Sequence, residues 1–467
     1  MSSHPAGPRS AAMSAGTVAP ASVWQAQSAG VWPASAVRAA DGVLTIAGCR
    51  VDDLVAEFGS PLYIVDEVDA RARASAYRRA YPHDRVFYAA KAFLSVEFAR
   101  WMLDEGLGID VCTLGELHTA LAAGARGTQL LMHGNNKSLE ELTAAVNAEV
   151  AFIVVDSMLE IDRLNAIAAQ SGRCVDVLVR VTVGVEAHTH EFIATAHEDQ
   201  KFGFSMAGPA AADAVAAVEA APSLRFAGLH SHIGSQIFDE QGFLVAAHRL
   251  VSFCGHLTDT LGVEVELLNL GGGSGIAYVA GDDPLSIDDM AQLLQQAVAA
   301  ECAAASYPRP TLAVEPGRSI VGPAGITVYT VGTVKPVTVT AREQRLYVSV
   351  DGGMSDNIRT ALYSADYTVA HASRQAAADD ATALARVVGK HCESGDIVVR
   401  DAHVLADIEA GELLAVAATG AYCRSMASNY NSVPRPAVVA VAAGAARLLY
   451  RRETLDDLFS LDAGLLR

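Results

Sequence analysis

From residue 60 to 325 the sequence repeats one two-part unit, and that rhythm constrains the fold more than any other feature. Short runs of β-branched or aromatic residues end in polar or glycine-rich turns, and longer Ala/Leu/Glu stretches at helical spacing follow them. The strand-like runs are Arg85–Ala89, Gly108–Val111, Gln129–Met132, Val150–Val155, Val175–Val181, Phe226–His230, Val265–Leu270 and Thr311–Val314. Helical spacing runs through Ser95–Glu105, Leu114–Ala123, Leu139–Asn147, Leu159–Ala169 and Ile287–Ala304 between them. Eight such units in about 250 residues are the arithmetic of a (β/α)8 TIM-type barrel. A doubly wound open sheet is the competing layout, and the eightfold count favours the barrel.

Past residue 325 the rhythm changes. Ile326–Val339 and Arg345–Val350 alternate apolar and polar residues, and Asp396–Val399 and Leu413–Ala418 read as short strands between turns. This pattern predicts a C-terminal antiparallel β-sandwich or β-barrel domain, within an α/β chain as a whole. Gly42–Cys49 is strand-like as well and precedes the barrel. The expected division is therefore a barrel at 60–325 and a β-domain built from 40–59 and 326–467. The first forty residues are rich in Ala, Ser, Gly and Pro and lack the charged start and apolar core of a secretory signal. Residues 1–20 read as a disordered tail.

Charge and cysteine usage narrow the class of function. Acidic residues outnumber basic ones, 53 against 34, for a formal net charge of −19. Such a surface repels phosphate backbones and anionic lipid, so nucleic acid and membrane are not expected partners. No apolar run reaches the roughly 18 residues of a membrane span; the richest, Ala437–Ala446, is mostly Ala and Val. The seven cysteines (49, 112, 174, 254, 302, 392 and 423) are odd in number, scattered and without a C-x-x-C. Neither a disulfide framework nor a zinc knuckle is indicated, and a reducing cytoplasm is expected.

The strand ends carry the chemistry. In order they are Tyr88-Ala-Ala-Lys91, Asp110, His133-Gly-Asn-Asn-Lys137, Asp156, Arg180, His230-Ser-His232-Ile-Gly-Ser235, Gly271-Gly-Gly-Ser-Gly275 and Glu315-Pro-Gly-Arg318. Side chains at the C-terminal rim of a barrel converge on one mouth, so these residues are candidates for a single site. Lys91 sits among Tyr, Ala and Phe; desolvation there favours a free amine able to form a Schiff base, against the plainer role of a strand-end lysine keeping its head in water. Lys201 is the second candidate. The Gly271–Gly275 run offers unshielded N–H groups of the kind that bind phosphate, although glycine-rich turns are common and the spacing is not that of a dinucleotide fingerprint. His230-x-His232 lacks further ligands at set spacing (His133 and His190 are placed by no motif), so no metal is expected, and a hydrogen-bonded core histidine is the simpler account. Glu315 and Arg318 could form a surface ion pair. Beside a reactive lysine and a phosphate cradle, Glu315 suits the ring nitrogen of pyridoxal phosphate, where a carboxylate keeps the ring an electron sink.

Taken together, these motifs resemble the alanine-racemase-fold (fold type III) family of pyridoxal-phosphate decarboxylases. Gly115-Glu-Leu117, Lys201-Phe-Gly203, Asp351-Gly-Gly353, Asn357-Ile-Arg359, Cys392-Glu-Ser-Gly-Asp396 and Gly420-Ala-Tyr422 extend the resemblance. The second-domain motifs are most similar to the branch acting on diaminopimelate, and family order is kept over roughly residues 40 to 450. The resemblance implies a carboxy-lyase that converts meso-2,6-diaminopimelate to L-lysine and CO2, the last step of lysine biosynthesis. Lys91 would bind pyridoxal 5'-phosphate covalently and His232 would stack on its ring. Ser235, Gly271, Gly272, Gly273, Tyr422 and the Glu315, Pro316, Gly317, Arg318 turn would hold its phosphate, with Glu315 on the ring nitrogen. Arg318, Arg359 and Tyr363 would grip the distal carboxylate, with Tyr422 also at the substrate, and Glu393 would take the distal ammonium. Cys392 would protonate the α-carbon, and it and Glu393 would come from the partner of a homodimer with shared sites.

Thr360 stands where the family often has Pro, which touches loop rigidity and not the role of Arg359. No role is assigned to Glu191–Asp199. Within the fold, the alternatives are a decarboxylase of a D-amino acid such as D-ornithine or D-lysine, or of carboxynorspermidine; outside it, a non-catalytic homologue. Arg318, Arg359 and Glu393 favour a distal amino-acid head group, and the presence of both Lys91 and Cys392 speaks against a non-catalytic protein.

Overall fold

A computed structural model describes residues 30–184, 201–238, 240–340, 343–377 and 379–466; the expected tail at 1–20 and His190 lie outside the described residues. The chain forms two compact units. Of the described residues, one takes those of Arg71–Gly275 and Pro284–Ser319, and the other takes those up to Ala70, Ile276–Asp283 and those from Ile320 on.

The first unit is a closed barrel of eight parallel strands. They are β1 (Arg85–Ala89), β2 (Gly108–Val111), β3 (Leu130–Met132), β4 (Phe152–Val155), β5 (Val175–Thr182), β6 (Leu224–His230), β7 (Leu267–Asn269) and β8 (Thr311–Val314). Each pairs with the next, and Ala313 and Val314 of β8 close the ring on Arg85 and Val86 of β1. Seven helices follow strands β1 to β7: α1 (Val96–Asp104), α2 (Leu114–Ala122), α3 (Leu139–Asn147), α4 (Met158–Gln170), α5 (Ala210–Ala220), α6 (Glu240–Leu261) and α7 (Ile287–Ala304). Four of the first helices start on a hydroxyl: Ser95, Thr113, Ser138 and Ser157 each accept a backbone N–H of the first turn, which satisfies a donor that the helix itself leaves open. Strands covered on both faces must be apolar on both, so β3, β4 and β7 are buried throughout. Phe87, Leu131, Phe152, Leu178, Ala227, Leu267 and Ala313 fill one core cluster of these strands. A bulge between Phe226 and Gly228 interrupts β6 against β5 just before His230. A Cβ on Gly228 would come within 1.9 Å of the Leu267 carbonyl oxygen, so only glycine passes there.

The second unit is a β-unit with its own cores. Its strands are β9 (Gly325–Thr340), β10 (Glu343–Val350), β11 (Val369–His371), β12 (Thr382–Val388), β13 (Ile397–Leu405), β14 (Leu413–Val416), β15 (Ala437–Ala442) and β16 (Ala445–Tyr450). The order runs β13-β12-β10-β9, then Leu62–Asp66, then β15-β16, with β14 joining β9 to β11. Most pairings are antiparallel, as the alternation predicts; β10 with β12 and Leu62–Asp66 with β15 run parallel, so the sheet is mixed.

Leu62–Asp66 lies inside the span that the sequence assigns to the barrel, yet its five residues are all buried and it is flanked on both edges in this sheet, by β9 and β15. Ile276 and Tyr278, also inside that span, belong to the apolar cluster around Tyr329, Val348 and Tyr367. The strand-like segment at 42–49 does not extend the large sheet. Val37–Arg38, Leu44–Ile46 and Cys49–Arg50 make a separate three-stranded sheet, and Leu44 and Ile46 share a core with Leu62, Ile326 and Val439.

Candidate active site

Because the barrel strands are parallel and closed into a ring, their C-terminal ends meet at one mouth. Lys91 stands in a short turn, Ala90–Ala92, directly after β1. Asp110 lies in β2, Arg180 in β5, His230 ends β6 and Asn269 ends β7. His133 and Glu315 are the first residues beyond β3 and β8. Lys91, His133, Arg180, His230, His232 and Glu315 line one cavity of about 470 Å³.

Two buried carboxyl groups organise this cavity, each with its own histidine. Asp110 Oδ1 is hydrogen-bonded to His133 Nδ1, and Asp110 Oδ2 lies 4.0 Å from the Lys91 amine. Glu315 Oε1 accepts from His230 Nε2 at 3.0 Å and from the Asn269 amide at 2.8 Å. The rings of His133 and His230 stack, 6.4 Å apart and 11° from parallel. Burial and the charge of Glu315 push the Asp110 carboxyl well above the usual carboxylate range. Burial pushes Glu315 the same way, but His230, His133 and Lys91 outweigh it and hold that carboxyl well below its ordinary value. Between two neighbouring acids, one thus takes the proton and the other keeps the charge. Burial, and after it the Lys91 ammonium, holds the His133 and His232 imidazoles well below their usual range, so both are neutral. His232 Nδ1 accepts the Gly272 N–H at 3.2 Å, which leaves the ring proton on Nε2.

Around this pair the rim is tied together. The guanidinium of Arg180 lies 4.3 Å from the centre of the Phe202 ring and 3.8 Å from Asp156, whose Oδ1 accepts the Gly203 N–H at 2.6 Å. Lys137 is fully employed: its buried amine bonds Glu160 at 2.5 Å and the carbonyls of Gly134 and Val154 at 2.7 and 2.6 Å.

The glycine run packs against the same residues. A Cβ on Gly272 would sit 2.4 Å from the Glu315 carbonyl oxygen, and one on Gly273 (φ 120°) 2.6 Å from that of Gly234. Side chains are therefore excluded, and the turn is fixed by its own backbone: the Gly271 N–H donates to Asn269 Oδ1 at 2.9 Å and the Gly273 carbonyl accepts the Ile237 N–H at 2.9 Å. Gly317 approaches Ala89 and Ala92 closely, and the Pro316 carbonyl accepts the Ala89 N–H at 3.0 Å, so the Glu315–Arg318 turn is locked to β1. Glu315 and Arg318 are both buried, so they are not a surface pair, and Arg318 donates to Ser235 Oγ at 2.8 Å.

The structure thus brings together Lys91, His232, Ser235, Gly271, Gly272, Gly273, Glu315, Pro316, Gly317 and Arg318 within the barrel unit. Arg359, Tyr363, Cys392, Glu393 and Tyr422 all belong to the β-unit. There Arg359 is buried; it donates to the Tyr367 hydroxyl at 2.5 Å and lies 4.6 Å over the Tyr278 ring. Tyr363 is half-buried, and Tyr422 takes a left-handed backbone with φ 60°. Cys392 and Glu393 are exposed. Lys201, the second lysine candidate, is exposed beside Phe202.

Sequence reasoning passed over Asn269, although a lone amide closing the apolar run Leu267-Leu-Asn is a signal. Phe202 stood in the Lys201-Phe-Gly203 motif with no role of its own, and only the fold lays it over Arg180.

Comparison with known proteins agrees with this arrangement. Residues 67–322 match the family described as pyridoxal-dependent decarboxylase, pyridoxal binding domain. The chain is 56% identical over 437 residues to the diaminopimelate decarboxylase of Mycobacterium tuberculosis, an alignment covering 92% of this chain and 97% of that one. It is 53% identical over 475 residues to that of Mycobacterium leprae, with 99% and 100% covered. The chain belongs to the diaminopimelate decarboxylase family. A solved structure of that family, from M. jannaschii in complex with L-lysine, matches with a TM-score of 0.84 at 30% identity, covering 92% of this chain and 97% of that one.

The cavity also fits the cofactor of the family, pyridoxal 5'-phosphate, on its own chemistry. It supplies a primary amine, a buried carboxylate that stays ionised, a neutral imidazole and a turn where side chains are excluded.

Proposed function

We propose that this protein decarboxylates meso-2,6-diaminopimelate with pyridoxal 5'-phosphate, yielding CO2 and L-lysine as the last step of lysine biosynthesis. The observation that carries the reading is the ionised Glu315 carboxylate in the same cavity as the Lys91 amine. When bound, the cofactor withdraws the electron pair that CO2 leaves behind. Lys91 would hold the cofactor covalently, and Glu315, braced by His230 and Asn269, would pair with its ring nitrogen and keep a proton there. His232 would stack on the ring; being neutral, it adds no charge to compete with Glu315.

The Gly273 N–H, in a turn that Gly271 and Gly272 keep free of side chains, would hold the phosphate with the Ser235 hydroxyl, Tyr422 and the Pro316-Gly317-Arg318 backbone. Arg318, Arg359 and Tyr363 grip the distal carboxylate, where a guanidinium fork fixes orientation as well as charge, and Tyr422 closes the substrate's end of the site. Glu393 takes the distal ammonium. Cys392 delivers a proton to the α-carbon; both reach the site from the partner of a homodimer. We place the enzyme in the cytoplasm, where a free thiol persists.

The test is CO2 release from the purified holoenzyme. Release from meso-diaminopimelate, with little from D-lysine, supports the reading; the reverse preference reassigns the substrate, and a wild-type protein without cofactor absorbance removes the reading altogether.

A further inference from the structure

The loop that carries Cys392 is held at its root and left open at its tip. Gly389 donates its N–H to the Asp396 carbonyl and Lys390 donates to the Gly352 carbonyl, both at 3.0 Å. His391, immediately before Cys392, is buried and anchored at three atoms. Its backbone N–H donates to Asp396 Oδ2 at 2.8 Å, its Nε2 pairs with Ser355 Oγ at 2.8 Å, and its Nδ1 pairs with Asn431 Oδ1 at 3.1 Å. An amide oxygen only accepts, so Nδ1 carries a proton toward Asn431. The Tyr430 ring packs on the imidazole with centroids 5.2 Å apart. Asp396 also accepts the Met354 N–H at 2.6 Å, and its oxygens occupy the space where a Cβ on Gly353 or Gly389 would stand, 2.4 and 2.2 Å away. Three chain segments, around 355, 391 and 431, are thus joined through one side chain. Beyond it Cys392, Glu393 and Ser394 are exposed, and Glu393 Oε1 accepts from its neighbours, the Gly395 N–H at 3.1 Å and the Ser394 hydroxyl at 3.4 Å.

We propose that His391 is a positioning residue: by fixing the root of the loop it sets where the Cys392 thiol is presented, and so which carbon is protonated after CO2 leaves. The proposal rests on Cys392 being the proton donor. In normal turnover the bond to the carboxyl carbon breaks and its electron pair stays with the α-carbon. The Cys392 S–H bond then breaks, its proton bonds to the α-carbon, and water reprotonates the thiolate. With the thiol misplaced, a proton adds to the cofactor's carbon instead. Water then adds, the bond from nitrogen to the α-carbon breaks, and the substrate skeleton leaves as an aldehyde. The nitrogen stays behind as pyridoxamine 5'-phosphate; two electrons have passed from the α-carbon to the cofactor, and no outside oxidant is needed.

The experiment measures kcat, KM and pyridoxamine 5'-phosphate formed per CO2 released by the holoenzyme on meso-diaminopimelate. A misplacement of about 1 Å costs up to about 100-fold, so His391→Leu is expected to lower kcat about 10-fold and raise the pyridoxamine fraction about 10-fold, with KM within about twofold. His391→Asn, which keeps an N–H for Asn431, should recover most of both losses. Ser355→Ala should shift both in the same direction by less, and carries the test if His391→Leu does not fold. A wild-type pyridoxamine fraction in the folded His391→Leu and Ser355→Ala enzymes, beside a raised one in Cys392→Ala, overturns the positioning role even if kcat falls. An unchanged fraction in Cys392→Ala overturns the proton-donor reading itself.

Discussion

Two buried acids, one in each unit, are shifted in opposite directions. Glu315 in the barrel and Asp356 in the β-unit are 4% and 2% exposed, so burial alone would neutralise both. Glu315 is held well below the usual range because His230, His133 and Lys91 face it. Asp356 meets hydroxyls and amides instead: it accepts from the Tyr329 hydroxyl and from the Gly353 N–H at 2.8 Å. Burial, opposed chiefly by the Tyr329 hydrogen bond, pushes it up to about 7. The lesson is that neighbours, and not depth, decide whether a buried acid is a charge available for chemistry or a protonated structural group. The barrel mouth sets a histidine hydrogen bond and the Lys91 charge against its acid, and in the β-unit burial prevails over the hydrogen bonds that Asp356 accepts.

Removing the Lys91 side of that contrast should have the largest effect. Lys91→Ala deletes both a charge facing Glu315 and the cofactor's covalent attachment. Its activity should fall at least about 1000-fold, and visible absorbance trapped by borohydride in the wild type should be lost from the protein. Glu315→Gln keeps the shape and deletes the charge; kcat should fall about 100-fold, the scale of removing one preorganised electrostatic partner, while the purified enzyme still binds cofactor.

The two acids should also give stability opposite slopes with pH. Asp356 has a folded pKa above its unfolded one. Its contribution is full below about pH 4, is lost as pH rises through about 7, and amounts to a few kcal/mol. Denaturant melts from pH 4 to 8 should show this decline, and Asp356→Asn should flatten it. Glu315 is the reverse case: its contribution is present above the unfolded value of about 4.3 and is lost as pH falls through its lowered folded value, so Glu315→Gln should lessen acid sensitivity. The smallest effect is expected from Asn269→Leu, which removes one of the two donors on Glu315 Oε1. It should cost about 1–2 kcal/mol of stability, read as a lower urea midpoint, and a severalfold loss of kcat. If Asn269→Leu leaves both unchanged, His230 alone braces the carboxylate.

Much of this was legible in the chain. All eight barrel strands were readable, and Arg85–Ala89, Gly108–Val111 and Thr311–Val314 match to the residue, because a strand buried on both faces is marked by an apolar run that ends abruptly in a turn. Leu62–Asp66 was not read as a strand and fell inside the 60–325 span given to the barrel; only its pairing with β9 and β15 assigns it to the other sheet. At the mouth, Lys91, His230 and Glu315 were visible as strand-end residues. Their partnerships were not, since His230 and Glu315 are 85 positions apart and Asn269 looked like part of an apolar strand.

By itself, then, the sequence determined the eightfold repeat, the mixed class of the chain and which polar residues face one mouth, because periodicity reports locally which side of each element is buried. The tertiary structure alone decided that Asp110 pairs with His133 and Glu315 with His230, that Glu315 keeps its charge while Asp356 holds a proton to about pH 7, and that His391 ties the Cys392 loop to Ser355 and Asn431. Ionisation and hydrogen bonding depend on groups a few ångströms away in space, and the order of residues along a chain does not specify those distances until it has folded.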